Sequence, residues 1–235
     1  IQSIKAKGQT SQVKIGGKKL TIPMQGPIDR NTKKELEKAV KKALEMMNEN
    51  YGNPSSLHLC GYNAKKELDS ARHTISSFLK CDDNEVFFTP SGTVANHTAI
   101  FGTVKAKRRE GKKVITTLLE HPSVLKHYET LAESGYDVVY LKPDSNGKID
   151  LEELSNAVDD NTVLVSVMAV NNEVGSIQDF SKIKGIIKDK RSKSYFHCDA
   201  VQAFGKILIY PKKLGIDLMS MSAHKIHGIK SARGT

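Results

Sequence analysis

A lysine closes the run Ser222-Ala223-His224-Lys225, directly after the apolar stretch Ile216-Asp217-Leu218-Met219-Ser220-Met221. An aspartate sits in Phe196-His197-Cys198-Asp199-Ala200-Val201-Gln202, again just past a strand-like run. Both groups therefore fall at the carboxyl ends of predicted strands, where open α/β sheets hold their ligands. An amine and a carboxylate so placed suit one chemistry. The amine condenses with an aldehyde to a Schiff base, and the carboxylate keeps a pyridine nitrogen protonated so that the ring can accept electrons. Those are the requirements of pyridoxal phosphate (PLP). A lone lysine after a strand is ordinarily a solvated surface residue, and a lone aspartate there a turn or helix cap. The pair, with Gln202, Ser222 and His224 beside it, departs from that expectation.

The elements needed to position these groups are legible as an alternation. Strands are predicted at 85–89, 113–118, 137–141, 162–168, 194–198 and 216–221, with helices at 93–109, 123–134, 151–158 and 179–189. This spacing predicts an α/β fold with a mostly parallel sheet covered by helices on both faces. Ahead of it, residues 1–26 read as an irregular arm, with a turn at Gly16-Gly17 between short strand-like pieces. A helix follows, with Asn31 or Thr32 as cap and Leu36, Val40, Ala43, Leu44 and Met47 on one face. A second helix carries Ala64, Leu68, Ala71, Ile75 and Phe78. The candidate chemistry falls in the connections after strands: Ser91 to Val94, His121, Asn171-Asn172, Asp199 to Gln202, and Ser222 to Lys225. Convergence at one sheet edge is the geometric condition for a single cofactor site.

Composition bounds the rest. The chain has 235 residues, 38% hydrophobic and 26% charged, enough for one large α/β domain. Three cysteines without paired spacing predict a reducing, cytoplasmic setting and no disulfide framework. No Cys/His cluster suggests a metal, and no apolar run approaches a membrane span. The net charge is +10, and residues 1–50 hold 11 Lys/Arg against 5 Asp/Glu. That balance admits an acidic partner such as a scaffold protein, or a solvated helix face beside a basic arm. No aromatic residues interleave with these lysines, which argues against a nucleic-acid surface.

Six segments carry a resemblance: Y-G-N-P-S-S-L-H (51–58), F-F-T-P-S-G-T (87–93), L-E-H-P-S-V (119–124), V-N-N-E-V-G-S-I-Q (170–178), H-C-D-A-V-Q (197–202) and S-A-H-K-I-H-G (222–228). In this order and spacing the chain resembles the cysteine desulfurases of the NifS/IscS class, fold-type I PLP enzymes of the class V aminotransferase group. The resemblance runs from about Pro27 to Lys225. It implies a PLP-binding large domain over 27–235 after the 1–26 arm, a homodimer, and L-cysteine or a similar amino acid as substrate. The implied reaction gives alanine and an enzyme persulfide for iron–sulfur or other sulfur transfer, with a sulfur-acceptor or scaffold protein as partner.

The resemblance also implies roles. Lys225 is the Schiff-base lysine and the base for the α-proton. Asp199 pairs with the pyridine nitrogen, Gln202 bonds the phenolic oxygen, and Asn172 lies near that oxygen and the substrate. His121 stacks on the ring; an imidazole can do so and also move protons near neutral pH. Ser222 and His224 contact the phosphate with the backbone around Thr93 and Val94, where a helix opening after Ser91-Gly92 turns free N–H groups and its dipole toward an anion.

Four departures qualify the likeness. Pro23-Met24-Gln25-Gly26 replaces the family's Asn/Ser-Ala-Thr-Thr segment near the substrate. Ser91-Gly92-Thr93-Val94-Ala95 replaces S-G-A-T-E, gaining one hydroxyl and losing another. Gly228-Ile229-Lys230-Ser231-Ala232 replaces a G-P-K-G run, and Arg233-Gly234-Thr235 is similar to a family R-S-G-T piece whose Thr reaches the partner subunit's phosphate site. The family also continues for about another domain, carrying a mobile-loop cysteine and a carboxylate-binding arginine, so these residues are expected to be the large domain without its small C-terminal domain. Other class V enzymes, such as a selenocysteine lyase, or a catalytically degenerate scaffold paralogue, are the alternatives.

Overall fold

The computed structural model describes residues 9–15, 18–24, 30–190, 192–226 and 228. They fall into two units, Ile1–Ser70 with His227–Thr235, and Ala71–Ile226.

In the first unit, β1 (Gln9–Ile15) and β2 (Lys18–Met24) pair antiparallel, with Ile15 opposite Lys18. The expected turn residues Gly16-Gly17 lie outside the described residues, as do Gln25–Asp29 and Ile229–Thr235. Helix α1 (Arg30–Asn48) starts before Asn31 and Thr32, so neither is its cap. It buries Leu36 and Val40, one turn apart; Leu44 and Met47, expected on the same stripe, are exposed. Helix α2 (Leu59–Leu79), whose first part up to Ser70 belongs to this unit, follows a tight loop. A Cβ on Gly52 would stand 2.3 Å from the Cys60 carbonyl oxygen, so only glycine fits that approach.

The second unit is a five-stranded parallel sheet flanked by helices. In chain order the elements are α3 (Gly92–Ala106), β3 (Lys113–Thr117), α4 (Pro122–Glu133), β4 (Asp137–Leu141), α5 (Leu151–Ala157), β5 (Thr162–Ser166), α6 (Phe180–Asp189), β6 (Tyr195–Asp199), α7 (Pro211–Leu214) and β7 (Leu218–Ser220). The strands lie in the order β4-β3-β5-β6-β7, every neighbouring pair parallel. Because side chains alternate along a strand, one residue feeds each face. Val114 joins Ile100 and Val104 of α3 and Val124, Tyr128 and Leu131 of α4. Its neighbour Ile115 joins Leu154 of α5 and Phe180, Ile183 and Ile187 of α6. The two-faced α/β architecture expected from the sequence is thus present.

One expected strand is not. Residues 86–89 follow a short 3-10 turn (Asp83–Glu85), and Val86 is extended, but the segment pairs with no strand among the described residues. Its β-branched and aromatic composition suits a strand, yet a strand exists only through a neighbour's backbone. Here the Val86 carbonyl accepts instead from Arg72 Nε, and Phe87 and Phe88 are exposed. Among the described residues no helix is long and apolar enough to cross a membrane.

Candidate active site

The site forms at the carboxyl edge of the sheet, in the second unit. Asp199 ends β6 and pairs in register with Ser220, the last residue of β7. From Ser220 the chain turns through Met221 and Ser222 into a 3-10 helix, Ala223–Lys225, which ends on the half-buried Lys225. Ala200 N–H donates to the Ser220 carbonyl at 2.8 Å, so the two connections leave the sheet together.

The start of α3 meets them. A Cβ on Gly92 would lie 3.4 Å from Val201 Cγ2 and 3.5 Å from Ser222 Cβ. Ser91 caps the helix: its hydroxyl accepts from Val94 N–H at 3.2 Å and its carbonyl from Ala95 N–H at 2.9 Å. The backbone donor of Val94, expected to face a phosphate, is therefore engaged by the cap. Helix geometry leaves the Gly92 and Thr93 amides for a ligand. Thr93 is exposed, and Ser222 Oγ lies 2.7 Å from His224 Nδ1.

Asp199 is only 4% exposed. Its Oδ1 accepts from Val201 N–H at 3.0 Å, and its Oδ2 from Asn96 Nδ2 at 2.8 Å. Asn96, 1% exposed on α3, uses the same nitrogen to donate to Ser123 Oγ at 3.0 Å. Ser123 completes a link to His121, the N-cap of α4. His121 Nδ1 accepts from Ser123 N–H at 3.1 Å and stands 2.8 Å from Ser123 Oγ. A backbone N–H can only donate, so Nδ1 is an acceptor and the ring proton of neutral His121 rests on Nε2.

The floor below is buried and polar. His197, fully buried, reaches Ser166 Oγ at 3.0 Å through Nδ1 and Ser220 Oγ at 3.1 Å through Nε2; Tyr128 Oη donates to Ser166 at 2.7 Å. Burial pushes the His197 pKa down to about 4, partly offset by the Asp199 charge. Burial also raises the Cys198 thiol well above its ordinary value, with the Asp199 and Glu120 charges adding to it. Glu120, 4% exposed, accepts from Met168 N–H through Oε1 at 2.5 Å. Burial first, then the Asp199 charge, pushes its carboxyl well above the usual range.

The remaining expected residues are less centrally held. Gln202 is half-buried, and its Oε1 accepts from Lys206 Nζ at 3.2 Å. Asn172 is exposed in the loop after β5. Its neighbour Asn171 is the buried one, donating to the Leu119 carbonyl at 2.9 Å and accepting from the Glu173 and Val174 amides. Among the described residues no cluster of three His, Cys, Asp or Glu could hold a metal.

The donor set fits PLP. A buried carboxylate needs compensation; Asp199 accepts from the neutral Val201 amide and Asn96 side chain, and a cationic ring N–H would add the missing charge. Two free amides at a helix start with nearby hydroxyls suit a phosphate. Lys225 supplies the amine. Asn96, Glu120 and Ser123 are site residues that sequence reasoning missed. One signal was readable: Asn96 lies four residues before Ile100 and eight before Val104, on the apolar face of its helix, where a buried amide must find partners.

Comparison with known proteins decides the family. Residues 30–230 match the model for Aminotransferase class-V. The chain belongs to the class V aminotransferase family. Within that family it is 42% identical over 191 residues to the cysteine desulfurase IscS of Clostridium botulinum, covering 81% of this chain and 48% of that protein. It is 40% identical over 194 residues to the putative cysteine desulfurase IscS 1 of Bacillus subtilis, covering 83% and 51%. Among solved structures, a NifS-like protein superposes with a TM-score of 0.79 at 36% identity, over 88% of this chain and 55% of that one. SspA in complex with cysteine gives 0.77 at 29% identity, over 87% and 56%. The chain thus spans about half the length of the curated class V relatives it matches.

Proposed function

We propose that the protein is a PLP-dependent cysteine desulfurase, taking sulfur from L-cysteine to leave alanine and a protein persulfide. The observation that carries this reading is Asp199: a carboxylate 4% exposed that accepts from the Val201 amide and the Asn96 side chain, at the sheet edge that also holds Lys225 and the start of α3. Kinship with named desulfurases supports the substrate.

In this reading Lys225 carries the cofactor, Asp199 holds its ring nitrogen, and His121 lies against its face. Gln202 and Asn172 serve the phenolic oxygen and the substrate. The α3 amides of Gly92 and Thr93, with Ser222 and His224, gather the phosphate. PLP, when bound, supplies an electron sink for the carbon bearing the amino group. The chain's own groups do the rest. Lys225 Nζ takes the α-proton, and His121 offers Nε2–H as a donor toward the substrate side. The balance is L-cysteine plus a protein thiol giving L-alanine plus a persulfide. Cys198, buried with a raised thiol, does not serve as that thiol.

The same reading takes residues 1–26 as an arm and 27–235 as the PLP-binding large domain of a cytoplasmic homodimer that delivers sulfur to an acceptor or scaffold protein, including for iron–sulfur assembly. The test is direct. Full-length protein supplied with PLP should show visible absorbance from bound cofactor and release alanine from L-cysteine. Lys225→Ala should lose turnover and any borohydride-fixable cofactor. Cofactor fixed at a lysine other than Lys225 would overturn the assignment.

A further inference from the structure

Side chains tie three elements together at the sheet edge. Asn96, on α3, has two amide hydrogens, and both are used. One goes to Asp199 Oδ2 at the end of β6, at 2.8 Å, and the other to Ser123 Oγ in the first turn of α4, at 3.0 Å. Asn96 is 1% exposed, and its Oδ1 is buried with no partner among the described residues. The reverse amide orientation would set that oxygen against a carboxylate oxygen. The amide therefore forgoes a bond at one end to donate twice at the other.

That choice sets the donor directions further along. Ser123 Oγ takes a hydrogen from Asn96, which leaves its own single hydrogen to donate. The acceptor in reach is His121 Nδ1, 2.8 Å away, which also accepts from Ser123 N–H at 3.1 Å. All donors thus point one way, from Asn96 through Ser123 to His121, and Nε2 keeps the ring proton. We propose that Ser123, backed by Asn96, is a positioning residue for His121: its hydroxyl holds the imidazole plane and the Nε2–H tautomer in fixed relation to Asp199.

The need for such a hold follows from where His121 sits. It is the N-cap of α4 and is exposed, so packing restrains its ring little, and the terminal torsion of a histidine is broad. A single backbone donor lets the ring rock about that torsion. A second donor, from the side-chain hydroxyl, fixes the plane in which the Nδ1 lone pair lies. Asn96 strengthens the hold, because a hydroxyl that accepts a hydrogen bond becomes a better donor. The same Asn96 nitrogen binds Asp199 Oδ2. The two groups that, on the reading above, meet the cofactor's face and its ring nitrogen thus share one anchor on α3. The consequence for catalysis rests on that reading; the hold on His121 does not.

The test uses full-length protein, without and with PLP, and the variants Ser123→Ala, Ser123→Thr and Asn96→Leu. Without PLP, nitrogen NMR of labelled histidine reads His121 directly. Wild type should show Nε2 protonated and Nδ1 shielded by its two donors. In Ser123→Ala the Nδ1 resonance should move toward that of an imidazole nitrogen with fewer hydrogen bonds. Ser123→Thr keeps the hydroxyl and should restore the wild-type signal. Asn96→Leu alters no group that bonds His121, yet should shift Nδ1 in the same direction as Ser123→Ala, by less. With PLP, Ser123→Ala should lower kcat for L-cysteine about tenfold, the scale of one hydrogen bond, while KM and PLP retention stay within about twofold. An unchanged Nδ1 signal in Ser123→Ala, or a Ser123→Thr signal like that of Ser123→Ala, overturns the inference. If Asn96→Leu fails to fold, the two Ser123 variants decide alone. Wild-type protein that never binds PLP would sink the cofactor reading instead, and the NMR signal, read without cofactor, would still decide the hold on His121.

Discussion

The two halves of the candidate site are built to opposite specifications. The inner half, Asp199, Asn96, Glu120 and His197, is almost wholly buried and hydrogen-bonded: Asn96 to Asp199, His197 to Ser166 and Ser220, and Glu120 to the Met168 amide. The outer half, Thr93, His224 and Asn172, is exposed and rests on backbone placement: a helix start, a 3-10 turn and a loop. A group that must tune the charge of a ring gains strength by losing water, because electrostatic effects grow as the local dielectric falls. A group that gathers a phosphate only needs donors that converge, and solvent access costs it little. Substitutions should therefore have large, charge-specific effects inside and smaller, binding-type effects outside.

The largest expected effect tests that division at its centre. Asp199→Asn keeps the shape and removes the charge. Turnover of L-cysteine by cofactor-loaded full-length protein should fall by about 100-fold or more, the scale of a lost preorganised electrostatic contact. Exchange of the α-proton with solvent deuterium, followed by NMR, should fall in parallel. Near-normal exchange in this variant would break the comparison outright. Next comes Asn96→Leu, which strips a hydrogen bond from a buried carboxylate and should weaken PLP retention by about tenfold or more, read by equilibrium dialysis.

His197 gives a stability test of the inner half. Its folded pKa of about 4 lies below the ordinary 6.5, so the unfolded chain binds more protons between those values. Stability from neutral His197 is therefore complete above about pH 6.5 and is lost as pH falls toward 4, by on the order of 3 kcal/mol in total. Glu120, shifted upward, works the other way, so the comparison must be with a variant. The stability gap between wild type and His197→Asn in urea titrations should narrow on acidification. A gap independent of pH would mean His197 is not held neutral. The smallest effect belongs outside: Thr93→Ala and Ser222→Ala should each raise the PLP dissociation constant by about tenfold or less, leaving turnover at saturating cofactor unchanged.

Legibility in the sequence followed the same line. The alternation of apolar strand runs with amphipathic helices revealed the sheet, because burial on both faces leaves a strong local pattern. Lys225, Asp199 and His121 were singled out because each sits just after such a run. Asn96, Glu120 and Ser123 were not singled out as a set, since 103 residues separate Asn96 from Asp199 and nothing local announces the bond. Segment 86–89 failed in the opposite sense. Its local pattern is that of a strand, but pairing is decided by a neighbour that local composition does not contain. The α1 stripe likewise marked apolar residues correctly without saying which of them are covered.

Cys198 has a consequence beyond catalysis. It lies on β6, between β5 and β7, with its thiol fully shielded and its ionisation suppressed, whereas Cys60 is exposed and Cys81 half-covered. An alkylating reagent needs both access and a thiolate. Labelling should proceed at Cys60 first, then Cys81, and reach Cys198 only when β6 is released from its neighbours. The modification rate at Cys198 therefore times the opening of the sheet, a built-in clock for the most protected part of the protein that requires no engineered reporter.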